Sequence, residues 1–401
     1  MKNFLNLGRQ PIANAFIKEE DFDDEFFYDL VVGFDEETGL VSLAEFVPPD
    51  KIFNENYAYH TSQSFPMVQH FKDIAIQLQA EFNPQRILEI GSNDGTFLKN
   101  WPIGSATAIE PCMNFCNVTR AQGYVTYPYF WDFSLAETVA NERGLVDLVY
   151  AANCICHIQD LDDAFNGVNR ILKDDGIFVF EDPSLESMLD RVSYDQIYDE
   201  HAHIFSIYAL SNLLKKHGLK IFRIQELDAH GGSNRIYATR DRKVEKHFRR
   251  PRIAQSVECV IERELSKCLD SMDIMLRFEN QVQQSRIQLK EMLQRFEEQG
   301  KKVISIGATS KSTTVFNFCR FDSGHMQLVT DTTPDKIGLF TPGTHIPIVD
   351  RQDVNLNDYD YAFLGAWNFQ KEILKKESEF VGNGGQFITH VPRVGIYENS
   401  R

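Results

Sequence analysis

Arg86-Ile87-Leu88-Glu89-Ile90-Gly91-Ser92-Asn93-Asp94-Gly95 is an apolar run that stops at a glycine turn. A strand followed by such a turn and then a helix lets backbone atoms approach a ligand at the strand's carboxyl end. Downstream, Ala106-Thr107-Ala108-Ile109-Glu110 supplies a second strand, whose terminal carboxylate lies nineteen residues after Gly91 and is suited to grip two ribose hydroxyls. Outward from this pair the same alternation continues. Strands are predicted at 86–90, 106–110, 145–151 and 177–181, with helices at 96–101, 112–121, 134–141 and 161–172 between them. Such alternation gives a parallel sheet covered on both faces. Two further strands, 219–227 and 234–240, are joined by Asp228-Ala229-His230-Gly231-Gly232-Ser233, a connection that suits an antiparallel hairpin at the sheet edge.

The flanks divide the chain. Residues 1–64 place acidic and turn-forming pieces such as Pro48-Pro49-Asp50 between short apolar runs, which predicts a small, mostly β lobe. Residues 65–245 hold the alternating series. In 246–300 the chain is rich in Glu, Gln, Lys, Arg and Leu, without proline from Ile253, and stops at Gly300. This predicts a long linker helix packed across domains, with a face available for homo-oligomer formation. Residues 301–401 return to strands at 302–307, 326–331, 358–366 and 385–391, a second α/β domain.

A length of 401 residues with 43% hydrophobic and 25% charged content allows two or three ordinary cores. No run of 18 apolar residues occurs and the first residues lack the build of a secretory signal, so no membrane partner and a cytoplasmic location are expected. The net charge of -17 repels a phosphodiester backbone, and the basic run at 240–252 is short and mixed with His and Glu, which argues against nucleic acid. Small anions remain compatible, because local cations and helix N-termini bind them whatever the global charge. The seven cysteines (112, 116, 154, 156, 259, 268 and 319) contain no Cys-x-x-Cys spacing, so reduced thiols and no structural metal are expected.

Three constellations carry chemistry. The turn at Gly91 has Gly-x-x-x-Gly spacing and lacks the glycine that admits a dinucleotide's pyrophosphate, which favours S-adenosylmethionine (SAM) as cofactor. Its candidate contacts are Glu89, Gly91, Ser92, Asn93, Gly95 and Glu110, with Asn153 and His157 on the same rim of the sheet. The second is Tyr194-Asp195-Gln196-Ile197-Tyr198-Asp199-Glu200-His201, a loop beyond the 177–181 strand. A histidine there can remove a carbon-bound proton near neutral pH, and a carboxylate or tyrosine can set its tautomer; a surface His-rich loop is the bland alternative. Third, the stretch from Lys302 through Gly307-Ala308-Thr309-Ser310-Lys311-Ser312 is a strand, a small-residue turn and a helix start with a lysine, able to hold a phosphate but without the spacing of a nucleotide hydrolase.

Taken together, these segments resemble the sugar C-methyltransferases that methylate C-3 of nucleotide-linked 4-keto-deoxyhexoses. The likeness runs nearly end to end. It is carried by Leu7-Gly8-Arg9-Gln10-Pro11-Ile12-Ala13-Asn14, Tyr57-Ala58-Tyr59-His60-Thr61-Ser62-Gln63-Ser64, the Glu89 to Gly95 turn, Asn153 to His157 and Tyr198-Asp199-Glu200-His201. In the distal half the carriers are Gly231-Gly232-Ser233-Asn234-Arg235, Gly307 to Lys311, Pro342-Gly343-Thr344-His345-Ile346-Pro347 and Ala366-Trp367-Asn368-Phe369. The resemblance implies an α/β fold: a class I SAM methyltransferase Rossmann-like sheet, a small N-terminal β lobe and a C-terminal α/β domain that binds the nucleotide sugar. It also implies that Glu200-His201 supplies the base, with Tyr59, His157 and Tyr198 lining the sugar pocket, and that substrate contacts come from Tyr57, Ser62, Ser233, Arg235, Ser310, Lys311, Asp331, Lys336 and His345. One departure stands out. Similar proteins carry paired zinc cysteines in the lobe, whereas here no cysteine precedes Cys112 and the corresponding turn reads Gly33-Phe34-Asp35-Glu36-Glu37-Thr38-Gly39. The other readings are O- or N-methylation of a different nucleotide-linked or phosphorylated substrate, and a non-catalytic SAM or nucleotide-sugar binding protein.

Overall fold

Along β4 (Ile87–Ile90) successive residues go to opposite sides, Ile87 into one apolar cluster and Leu88 and Ile90 into another, as in any strand buried on both faces. In the computed structural model, which describes residues 1–243 and 256–397, β4 is an inner strand of a seven-stranded sheet. The other strands are β5 (Ala106–Ile109), β6 (Val125–Tyr127), β7 (Val146–Ala152), β8 (Leu172–Pro183), β10 (Leu219–Leu227) and β11 (Ser233–Arg240), in the spatial order β10-β11-β8-β7-β4-β5-β6. Strands β4 to β8 run parallel, while β10 and β11 form the antiparallel hairpin at one edge. Ser233 pairs with both Leu227 and Pro183, so the hairpin's connection lies on the rim where the parallel strands end.

The helix Phe65–Phe82 covers one face with Met67, Phe71, Ile74 and Leu78, spaced for a single apolar stripe. Ser64 caps its start and Asn83, left-handed at φ 48°, ends it. On the opposite face lie the helices Phe133–Arg143, Leu161–Ile171, Ile207–Lys216 and Val257–Ser266.

Strands β1 (Lys2–Pro11), β2 (Phe27–Phe34) and β3 (Val41–Leu43) form the lobe sheet, completed by β9 (His203–Ile204) from just beyond the Glu200-His201 loop. The turn after β2 is closed by hydrogen bonds: Glu37 N–H to Asp35 Oδ1 at 2.9 Å, Leu40 N–H to Thr38 Oγ1 at 3.3 Å and Gly39 N–H to the Asp35 carbonyl at 2.8 Å. Distal to these, β12 (Val303–Ile306), β13 (Val329–Asp331), β14 (Ile348–Asp350), β15 (Tyr361–Leu364), β16 (Gln386–Thr389) and β17 (Gly395–Tyr397) form a six-stranded sheet in the order β14-β13-β12-β15-β16-β17, parallel except for β17. One core unites this sheet with the lobe. Phe4, Leu30 and Val32, the stripe Met275, Phe278, Val282 and Leu289 of the helix Met272–Glu298, and Val315 and Val329 belong to a single apolar cluster.

Several expectations are corrected. The helix predicted at 96–101 is one tight turn, Leu98–Asn100. Trp101 precedes Pro102, which bars it from the helical region, and it is extended at φ -121°. The helix expected from Ile253 to Gly300 is two, Val257–Ser266 and Met272–Glu298, interrupted where Cys268 takes a left-handed φ of 61° and Ser271 caps the second; residues 253–255, and the linker's start at 246, lie outside the described residues. The three-residue edge strands β6, β14 and β17 are additions to the predicted series. No helix among the described residues is long and apolar enough to cross a membrane.

Candidate active site

Gly91, at φ 70°, turns the chain where β4 ends, and a side chain there would put its first carbon 2.6 Å from Cys154 Sγ. The turn is pinned to its neighbour strand: Gly91 and Ser92 N–H donate to the Ile109 carbonyl at 2.9 and 3.2 Å. Glu110 is buried and accepts from Asn93 N–H at 2.7 Å and Cys112 N–H at 2.9 Å. Asn93 clamps a third segment, accepting from Thr61 N–H at 3.0 Å and donating through Nδ2 to the Tyr59 carbonyl at 2.9 Å, while Asp94 accepts from Ser62 N–H at 2.8 Å. The stretch 57–62 is thereby fastened across the turn.

A cavity of about 660 Å³ opens here. Its wall includes Glu89, Gly91, Ser92, Asn93, Glu110 and Asn153 from the rim of the central sheet, Tyr57, Tyr59, His157, Tyr198, Glu200 and His201 from the connecting loops, and Ser310, Lys311, Asp331 and Lys336 from the distal domain. The structure thus gathers most of the predicted site residues, from three separate sheets, into one space.

His201 donates from Nδ1 to the Gln196 carbonyl at 2.6 Å, which leaves Nε2 as the acceptor of the Tyr198 hydroxyl at 2.9 Å. Burial, with His157 and Lys311 nearby, holds its pKa well below the usual histidine range, so the ring is neutral at pH 7. His157 stacks between Phe53 and His201, at 5.4 Å from each, and its buried Nε2 has no partner among the described residues. Glu200 does not touch His201. Its oxygens accept from Asn14 Nδ2 at 2.5 Å and the Tyr57 hydroxyl at 2.8 Å, and burial raises its pKa. Asn14 is a residue that sequence reading places in a motif but does not assign to the site. Lys311 is buried at the first turn of the helix Ser310–Cys319, with no carboxylate in ion-pair contact among the described residues, and burial lowers its pKa.

Five predicted contacts lie elsewhere. Gly95 closes the back of the turn, donating to the Ser92 carbonyl at 2.9 Å and facing Gln122. Ser62 is outside the cavity and engages Asp94 through its backbone. Ser233 donates to the Ala229 carbonyl at 3.0 Å and fixes the hairpin connection. Arg235 is buried against Glu181 at 2.7 Å and Gln225 at 3.0 Å. His345 stacks on Phe22 at 3.7 Å and pairs with Glu25 at 2.9 Å, joining distal sheet to lobe. Asp331 does reach the cavity, but its oxygens are occupied by the N–H groups of Ala308, Thr332 and Thr333, each at 2.8 Å, and Lys336 donates to the Ala308 carbonyl at 2.7 Å. Both shape the turn after β12.

Residues 68–224 match a family model described as a methyltransferase domain, residues 228–392 one described as a C-methyltransferase C-terminal domain, and residues 1–53 a putative zinc binding domain. The chain is 29% identical over 394 residues to the C-methyltransferase NovU of Streptomyces niveus, covering 97% of this chain and 92% of that protein. Among solved structures it resembles SAM-dependent methyltransferases of Thermotoga maritima (21% identity, 44% of this chain and 93% of that one, TM-score 0.34) and Clostridium acetobutylicum (16% identity, 43% and 91%, TM-score 0.35).

The central domain is a doubly wound, Rossmann-like α/β sheet, the models that match 68–224 and 228–392 are both of methyltransferases, and with them go methyl transfer as the activity and SAM as the cofactor. The residues fit that cofactor. Glu89 Oε2 and Ser92 Oγ belong to residues of the cavity wall and are buried without partners among the described residues, suited to an ammonium and a carboxylate, and Glu110 retains lone pairs for ribose hydroxyls. Zinc does not fit the lobe: residues 1–53 contain neither Cys nor His, and hydrogen bonds close the corresponding turn. Among the described residues, three metal-capable side chains converge only at Cys156, His157 and His201, within 4.8 Å of one another and remote in sequence from the lobe.

Proposed function

We propose that this methyltransferase alkylates a carbon beside the ketone of a nucleotide-linked keto-sugar, with His201 as the base. The observation that carries the reading is the continuity of the cavity from Glu89, Gly91 and Glu110, past His201, to Lys311 and the turn after β12. A methyl donor at the first end and an anionic handle at the other would leave the acceptor's reacting carbon beside the histidine. The similarity to a C-methyltransferase across nearly the whole chain supports it.

SAM supplies an electrophilic methyl group on a sulfonium. The protein must supply the carbon nucleophile. The Gln196 carbonyl fixes the proton of His201 on Nδ1, so Nε2 presents a lone pair. A substrate that displaces the Tyr198 hydroxyl from Nε2 brings its C–H within reach, and the proton moves to Nε2 as the electron pair shifts toward the carbonyl oxygen. Tyr57 and Asn14 hold Glu200 beside this space, where its charge can steady the resulting imidazolium.

The test is a mass measurement of the product formed from SAM and a panel of nucleotide-4-keto sugars, with solvent deuterium exchange beside the ketone. A gain of one methyl on carbon, with exchange, is expected. A product methylated on oxygen or nitrogen, without exchange, refutes the carbon reading in favour of O- or N-transfer.

A further inference from the structure

His230 occupies the connection between β10 and β11, on the same rim as Gly91, Glu110 and Asn153, and it lines the cavity. Its backbone is left-handed at φ 53°, a costly conformation for a histidine that persists only when the surroundings impose it. They do. The next residue, Gly231, has no room for a side chain, because an added carbon would lie 2.3 Å from the Trp367 ring. Trp367 in turn donates from Nε1 to Asp195 Oδ2 at 2.5 Å, in the loop that carries Tyr198 and His201. Ser233 ties the other side of the connection to the Ala229 carbonyl. The connection that carries the imidazole is therefore held by a clamp drawing on the hairpin, the loop of Tyr198 and His201, and the distal domain.

Nε2 of His230 is buried and makes no hydrogen bond among the described residues, and such an atom costs free energy unless a ligand satisfies it. The groups facing it are Lys311, His70, Glu181 and His201. Burial first, and then the Lys311 ammonium, push its pKa down to about 3, so at pH 7 it is a neutral imidazole that can donate N–H. A neutral imidazole in this setting is suited to polarise a carbonyl.

We infer that His230 is a further catalytic residue, donating from Nε2 to the acceptor's ketone oxygen and stabilising the charge that gathers there, a role that depends on the ketone reading above. When His201 Nε2 takes the proton from the adjacent carbon, the C–H electron pair becomes a carbon–carbon double bond and the carbonyl pair moves onto oxygen. The His230 N–H and the field of Lys311 then meet an enolate. As that carbon attacks the methyl group, the methyl–sulfur bond breaks onto sulfur and the ketone re-forms, relaxing the hydrogen bond.

The experiment compares His230→Leu and His230→Gln with the unaltered protein for SAM binding, kcat and KM on an accepted keto-sugar, and deuterium exchange beside the ketone. Loss of one such donor typically lowers kcat by about 10²–10³-fold. The leucine variant should lose turnover and exchange together by that factor, with KM and SAM binding within about threefold, and glutamine, which keeps an N–H, should recover part of both. Unchanged kcat and exchange in a leucine variant that binds SAM overturns the assignment, as does a loss confined to KM. If His230→Leu no longer binds SAM, the glutamine variant decides on the same criteria. Failure of the unaltered protein to exchange or methylate any keto-sugar instead refutes the ketone reading, and this role with it.

Discussion

His201→Asn removes the proposed base and keeps a donor for the neighbouring carbonyl. Asparagine can present an N–H near the position of Nδ1, so the Gln196 carbonyl, now bonded at 2.6 Å, need not be orphaned. Alanine would strand that carbonyl, at about 1–3 kcal/mol, and would confuse lost stability with lost chemistry. A general base contributes about 10²–10⁴-fold, so kcat should fall by at least about 10²-fold. Deuterium exchange beside the ketone should fall in parallel, while SAM, whose proposed contacts are Glu89, Gly91 and Glu110, should bind as before. His203→Ala is the control: that ring is bonded to Ser42 Oγ at 2.8 Å and the Gln159 carbonyl at 3.2 Å, outside the cavity. Because burial holds His201 neutral, protonation should not switch the base off near pH 6.5, and kcat/KM should be flat from about pH 7.5 to 6. A His201→Asn protein exchanging at the unaltered rate, or failure of the His203 variant instead, would refute the assignment.

Lys311→Ala should weaken binding of the nucleotide-linked acceptor more than that of SAM, measured by calorimetry; equal losses would count against a divided cavity. Glu264 accepts from Ile207 and Tyr208 N–H at 2.9 and 2.8 Å, capping the helix Ile207–Lys216 from the helix Val257–Ser266. Glu264→Leu leaves both donors buried and should cost roughly 2–4 kcal/mol in denaturant unfolding, and no change would mean that water replaces the cap. His203 is pushed down to about 4 by burial, so the unfolded chain takes up a proton that the folded one refuses. Its stabilising effect is therefore present above about pH 6.5 and is lost as pH falls toward 4, by about 1.4 kcal/mol per unit. His203→Gln should remove that slope from the stability–pH curve, and parallel curves would contradict the burial. The lobe should contain no zinc: elemental analysis giving one zinc per chain, or a melting temperature lowered by a chelator, would refute this.

The central sheet is legible because each parallel strand is buried on both faces and reads as a short apolar run, and because a chain that reverses at Gly91 needs glycine. Edge strands such as β6 escape notice since three residues with one buried carry no pattern. The lobe's fourth strand is invisible for another reason: His203 pairs with Ser42, a partner remote in sequence. The same physics sorts the site. Residues placed by a strand end, such as Glu89, Glu110 and Asn153, reach the cavity because the sheet aims them. Side chains whose direction depends on tertiary partners do not follow from a motif: Arg235 turns to Glu181, His345 to Glu25, and Glu200 to Asn14 and Tyr57 instead of to the adjacent His201. His230 inverts this. Its surroundings in sequence read as a loop, and only the contact of Trp367 with Gly231 turns an ordinary hairpin connection into a wall of the cavity. Trp367 packs on Gly231 and bonds Asp195, so the hairpin connection and the loop that carries His201 are both held against the distal sheet. Under the proposed function, a keto-sugar reaching from Lys311 to His201 would therefore meet groups whose positions are already fixed relative to one another.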